Sequence, residues 1–212
     1  MVKRCVIVTG MHRSGTSAMA GFLHTNGVMM GSQENFIPRP SPENPRGFYE
    51  NFLFRSLNDA ILAENGYYVK SFSPAVPTKL KISERTADMM DQLLWEYNKH
   101  FSLWGFKDPR TCLTFKVWKN AIDKIADIEL ITIVMRRNPA DIAFSMQRRG
   151  NVGTSSQFAN LAKAYYECLD AQCKPTVAFK FESLVSKTDY VAAKLGRILG
   201  IRKMNTDFII RR

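Results

Sequence analysis

Three features of this sequence predict an α/β fold of three layers, with helices on both faces of a doubly wound, mostly parallel sheet. Short apolar runs rich in β-branched residues alternate with amphipathic helical stretches, the signature of strand–helix–strand units. The first of these runs enters a glycine-bounded loop that opens directly into a helix. The 212 residues, 45% hydrophobic and 23% charged, suffice for one full core but not comfortably for two. No linker or internal repeat interrupts the pattern, so residues 1–212 are expected to form a single domain.

Cys5–Thr9 reads CVIVT, as expected of a strand buried on both faces. Ser17–Asn26, with Ala, Met, Phe and Leu, suits a helix packed on that sheet, and Asn26-Gly27 closes it. Residues 28–49 contain Pro38, Pro40, Pro42 and Pro45, which forbid regular structure and predict a long ordered loop or lid. Phe52–Glu64 and Glu84–His100 are amphipathic helices by pattern, and Leu103–Phe106 is a second core strand. Leu130–Met135 (LITIVM) is a third strand, followed by a helix over Pro139–Arg148. Phe158–Ala171 reads as helix, Thr176–Phe181 as a fourth strand, and Tyr190–Leu199 as a last helix stopped by Gly200.

The charge is the unusual part of the composition. Thirty Lys+Arg against 19 Asp+Glu leave a formal +11, which points to an anionic partner. The basic residues are dispersed, apart from pairs such as Arg136-Arg137, Arg148-Arg149 and Arg211-Arg212. That distribution suits discrete anion pockets better than a nucleic-acid tract. Cys5, Cys112, Cys168 and Cys173 form no CxxC pair and have no histidine at metal-ligand spacing, so reduced thiols and no metal are expected. Neither a secretory leader nor a run of about 18 apolar residues is present, and the expected location is the cytoplasm.

The loop Gly10-Met-His-Arg-Ser-Gly-Thr-Ser17 has the glycine spacing of a loosened P-loop. Gly10 and Gly15 let the chain curl so that successive N–H groups converge, and the helix N-terminus adds partial positive charge for a phosphate. Ser14, Thr16 and Ser17 add hydroxyls. A nucleoside triphosphatase keeps a lysine where this chain has Thr16, and the cation has moved to Arg13. No acidic Mg²⁺ ligand follows the third strand, which runs into Arg136-Arg137. A loop of this kind suits a nucleotide other than a Mg²⁺ triphosphate.

This loop resembles the 5′-phosphosulfate-binding loop of sulfotransferases that use 3′-phosphoadenosine-5′-phosphosulfate (PAPS), and is especially similar to bacterial members. The resemblance implies that Arg13, Ser14, Gly15, Thr16 and Ser17 bind the donor, with Arg13 standing where the family has a catalytic lysine. Arginine is a poor proton donor, so Arg13 is expected to act by charge and fork geometry.

A PAPS donor needs a second anion site for its 3′-phosphate. Arg137 ends the third strand, Asn138 is a good N-cap, and Pro139 sits at the first helical position. Ser145 lies seven positions after Asn138, nearly two helical turns at about 100° per residue, and so returns to the N-cap face. The segment is similar to the family's 3′-phosphate element, an arginine followed eight residues on by a serine, which implies that Arg137 and Ser145 bind that phosphate.

Sulfuryl transfer asks for donors around the moving group and a base for the acceptor hydroxyl. His12, His24 and His100 are weak candidates: the first is beside Arg13, and the others lie near helix ends. Pro45-Arg-Gly-Phe-Tyr-Glu-Asn51 is similar to a bacterial sulfotransferase motif whose glutamate corresponds to Glu50. Glu50 is therefore the first candidate base, the alternatives being a cap on the next helix or a pair with Arg46. Trp104-Gly-Phe-Lys-Asp-Pro-Arg110 ends the second strand, where ligand sites of such sheets lie. Cytosolic family members have Lys-x-His there; Lys107 matches the lysine, while Pro109 stands at the histidine position. Asp108 replaces that histidine or simply pairs with Arg110, whose charge, with that of Lys107, is expected to lower its pKa. Phe181–Val185 is also similar to the family, and Phe208–Arg212 less so. The expected partners are the nucleotide donor and a small-molecule or glycan acceptor, with no nucleic acid and no membrane span. The competing functions are a small P-loop kinase or nucleotide hydrolase and a non-catalytic anion binder.

Overall fold

The computed structural model describes residues 2–42 and 44–210, so Arg211 and Arg212 lie outside the described residues. Its centre is a four-stranded, all-parallel sheet in the order β2-β1-β3-β4. The strands are β1 (Lys3–Thr9), β2 (Leu103–Lys107), β3 (Ile128–Arg136) and β4 (Val177–Lys180). Central β1 pairs with β2 on one side and β3 on the other, Val6 lying opposite Gly105 and Ile131.

Alternation along β1 builds the two cores of the three-layer arrangement. Cys5 and Ile7 join one cluster with Phe54, Leu94, Trp118 and Tyr165, which belong to α2 (Phe52–Glu64), α3 (Glu84–His100), α4 (Thr111–Ile122) and α6 (Ser155–Gln172). Val6 and Val8 join the other with Met19, Phe22, Val191 and Leu195, from α1 (Thr16–Thr25) and α8 (Thr188–Leu199). β-Branched side chains on both faces make β1 an apolar run rather than an alternating one, as a parallel central strand requires.

Helix ends follow the residues expected of them. Gly27 holds φ near +91°, and the Val28 N–H returns to the Leu23 carbonyl to close α1. Asn138 caps α5 (Pro139–Arg148) by accepting from the Ala140 N–H at 2.9 Å. Residues 28–49 form no helix or strand among those described, although Met29 bridges to Trp104 at the sheet edge.

Three local expectations need correction. Thr111–Ile122 is a helix, α4, where none was expected. Its β-branched and aromatic residues hide the helical period, yet it buries Cys112, Leu113, Phe115, Trp118 and Ile122 in the crossover from β2 to β3. The fourth strand stops at Lys180, because Phe181 begins a short helix, α7 (Phe181–Ser186), beneath the glycine loop. Helix α6 starts at Ser155, three residues before Phe158, because Thr154 caps the Gln157 N–H.

Candidate active site

The carboxyl ends of β1, β2 and β3 deliver Gly10, Asp108 and Arg137 to one edge of the sheet, where ligand sites of open parallel sheets lie. Gly10 and Gly15 are required by their surroundings. A Cβ on Gly10 would stand 2.2 Å from the Met135 carbonyl oxygen, and one on Gly15 would stand 2.4 Å from the Phe181 ring. Arg13 between them takes a left-handed backbone, φ +67°, which non-glycine residues rarely adopt. The turn is closed by Ser14, whose N–H and Oγ both donate to the Met11 carbonyl. Ser14 is thus spent on the loop's shape, whereas Thr16 and Ser17 open α1 at a cavity.

That cavity, about 570 Å³, is lined by Arg13, Gly15, Thr16, Ser17, Arg46 and Arg137, with Phe181 and Phe208 as its aromatic surfaces. Arg137 is anchored at three points. Its N–H donates to the Tyr166 hydroxyl at 3.1 Å, its Nη1 donates to the Arg13 carbonyl at 3.1 Å, and its guanidinium stacks 4.8 Å from the Phe181 ring centroid. The buried Nε of Arg137 has no hydrogen-bond partner among the described residues and lies 4.0 Å from Glu182. Arg46 donates to the Phe208 carbonyl and sits over the Phe208 ring, tying the C-terminal turn α9 (Asp207–Ile210) to the cavity rim.

A second cavity of about 250 Å³ lies beyond the loop. Pro38 and Phe48 of the proline-rich segment, Val69 and Phe72 from the chain after α2, and Met146 of α5 supply its apolar walls. Its charged lining is Arg13, Arg55, Lys70, Arg110, Arg149 and a single carboxylate, Glu50. Arg13 is the residue common to both linings.

Glu50 is only 8% exposed and is surrounded by cations. The Lys107 ammonium donates to its Oε1 at 2.8 Å, and Arg110 and Arg55 stand 3.8 and 3.9 Å from Oε2. Burial pushes the carboxyl up, but the charge and hydrogen bond of Lys107, then Arg110, outweigh it and hold Glu50 near a pKa of about 2. Asn51, not Glu50, caps α2, by accepting from the Leu53 N–H at 3.1 Å. The alternative pairing of Glu50 with Arg46 gives way to pairing with Lys107, since Arg46 faces the larger cavity.

Asp108 is fully buried and lines neither cavity. It accepts from the Arg110 N–H and Nη1, each at 2.9 Å, and from Asn58 at 3.0 Å. Asn58, itself buried, also donates to Thr111 and accepts from Thr114 and Trp118, so its amide is fully used in clamping α2 to α4. Burial raises the pKa of Asp108 above its ordinary value despite Arg110, the reverse of the order expected for the two carboxylates. The charge of Lys107 that was expected to lower Asp108 goes to Glu50 instead. Lys107 too is withdrawn: it is 1% exposed and lines neither cavity.

Arg13, Arg137 and Ser145 do converge, in an arrangement the spacing alone did not specify. The Ser145 Oγ accepts from Arg13 Nε at 2.9 Å and is absent from the lining of the larger cavity. Arg46 and His12 are cavity residues that sequence reasoning passed over. Arg46 belongs to the segment that singled out Glu50, and His12 to the loop that singled out Arg13.

No family model and no curated protein matches the sequence. Solved structures do. A sulfotransferase domain from the curacin biosynthetic pathway superposes with a TM-score of 0.55 at 15% identity, covering 95% of this chain and 75% of that one. A sulfotransferase domain from the Synechococcus PCC 7002 olefin synthase gives 0.57 at 13% identity, covering 97% and 75%. The fold is the sulfotransferase fold.

Proposed function

We propose that this chain, as one domain over residues 1–212, transfers a sulfuryl group from PAPS to a hydroxyl or amine of an acceptor. The observation that supports this most is the meeting of two unlike cavities at Arg13. A group transfer needs two ligands placed end to end with a cation at the junction, and Arg13 is that cation.

In this reading the larger cavity takes the nucleotide. The loop N–H groups, Thr16, Ser17 and the α1 N-terminus hold the 5′-phosphosulfate. Arg137 takes the 3′-phosphate; its guanidinium is braced on Phe181, and its Nε makes no hydrogen bond among the described residues. The acceptor enters the smaller cavity, and its oxygen meets sulfur in line with the bridging phosphate oxygen. Arg13 offsets charge on the equatorial and bridging oxygens, a fixed donor where charge develops. Ser145 keeps the Arg13 fork in place.

Glu50 and Lys107 act on the acceptor side as a fixed ion pair. Glu50, held at about 2, is ionised at every physiological pH and is a weak base, so its role is counter-charge and orientation. Asp108 holds Arg110 in position. The proposed donor needs no metal.

The test is calorimetric titration with 3′-phosphoadenosine-5′-phosphate (PAP) and with ADP. Two separated anion sites predict that PAP binds tighter by at least about 1.5 kcal/mol, the scale of charge-assisted contacts. Equal affinities would remove the PAPS reading, and ATP turnover without PAPS would favour a P-loop kinase or hydrolase.

A further inference from the structure

Within the smaller cavity's lining, His12 carries a buried side-chain nitrogen that makes no hydrogen bond among the described residues. It lines that cavity beside Arg13, and its Nε2 is shut off from solvent with no partner among the described residues. A buried ring nitrogen without a partner is costly, and a native site tolerates one when a ligand satisfies it. The ring is kept in place by packing, its centroid 6.0 Å from that of Tyr165 on α6.

We propose that the imidazole of His12 accepts the proton of the attacking hydroxyl, and that it becomes competent only when the donor is bound. The inference rests on the sulfuryl-transfer reading. Of the two other candidates, Glu50 already has its charge held by Lys107 and Arg110, and Asp108 is walled off from both cavities.

The groups facing the ring explain the dependence on donor. Burial comes first, then Arg110, Lys107 and Arg149, in pressing the imidazole down to about 3, with Glu50 pulling the other way. Arg13 is its neighbour in the loop. A phosphosulfate laid against Arg13 brings negative charge into this cationic field and raises the proton affinity of the ring. In the free protein His12 is a neutral imidazole ready to accept a hydrogen bond; in the donor complex it is also a stronger base.

The step balances without further reagents. The acceptor oxygen bonds to sulfur as the bond from sulfur to the bridging phosphate oxygen breaks, and that electron pair leaves on PAP. The hydroxyl proton passes to Nε2 of His12, Glu50 offsets the imidazolium, and the proton returns to solvent after product release.

Two measurements test this. The first follows the three histidines of the intact protein by NMR, free and saturated with PAP. The His12 pKa should rise by about one unit or more on binding. A bound complex in which His12 does not move overturns the inference. The second follows release of PAP from PAPS with water as acceptor. His12→Gln should slow release by about 10²-fold while PAP affinity stays within about twofold. Added imidazole should restore part of the rate to His12→Gly. A His12→Gln protein that binds PAP normally and turns over at the wild-type rate also overturns it. A wild-type protein that fails to prefer PAP over ADP refutes the donor reading instead, so the two failures are distinct.

Discussion

The two cavities that share Arg13 are built in opposite ways. The polar face of the larger one is a local product: one loop of consecutive residues curls between β1 and α1, Arg137 arrives from the end of β3, which pairs with β1, and Arg46, Phe181 and Phe208 close the other side. The smaller one is gathered from the glycine loop, the proline-rich segment, the turn after α2, the end of β2 and the end of α5. The larger depends on backbone N–H groups and a helix terminus, which need only the right turn. The smaller depends on side-chain charges that hold one another in place, and such a network fails when one member is removed.

That contrast predicts where stability is most at risk. Glu50→Ala should destabilise the protein by about 3–5 kcal/mol, because it leaves the buried Lys107 ammonium uncompensated. Arg46→Ala, at the rim of the larger cavity, should cost far less in the same denaturant titration. Similar losses for the two would break the comparison. The pH dependence has a definite sign. Glu50 is depressed from 4.5 to about 2, so its contribution is fully present above about 4.5 and is lost as pH falls towards 2.

Arg137→Ala sharpens the other half. Its side chain braces on Phe181 and lines the cavity, and no buried carboxylate depends on it. The fold should survive while most of the preference for PAP over ADP disappears, a loss of about 1.5 kcal/mol or more by calorimetry. An intact preference would move the 3′-phosphate to another cation, Arg46 first.

The same contrast governs what the sequence disclosed. The sheet, the glycine loop, the Asn138 cap and the Arg137 position all follow from short-range rules, and the structure contains each of them. What escaped was non-local. Helix α4 hides its period because its first five residues, Thr111–Phe115, are buried without a break, and its exposed stripe begins only at Lys116. The partner of Lys107 lies 57 residues away, so nothing nearby reveals that Glu50 rather than Asp108 receives its charge. Asn58 carries no motif, yet it links Asp108, Thr111, Thr114 and Trp118. His12 was set aside for its charged neighbour, an argument about protonation that says nothing about an imidazole kept neutral.

Ser145 gives the smallest expected effect and the finest discrimination between the cavities. Its spacing after Asn138 led to its expected place at the proposed 3′-phosphate, whereas its Oγ accepts from Arg13 Nε at 2.9 Å. The two roles differ in which ligand senses the mutation. If Ser145 touched the 3′-phosphate, Ser145→Ala would shrink the gap between PAP and ADP. If it serves to orient Arg13, the loss should fall on the sulfuryl end, in the gap between PAPS and PAP. The orienting role is the expected one, so PAPS should lose about 3- to 10-fold in affinity relative to PAP, the worth of one hydrogen bond. The PAP-to-ADP ratio should stay unchanged. Calorimetry with the three nucleotides on the one variant separates the cases. A reduced PAP-to-ADP ratio would return Ser145 to the phosphate beside Arg137.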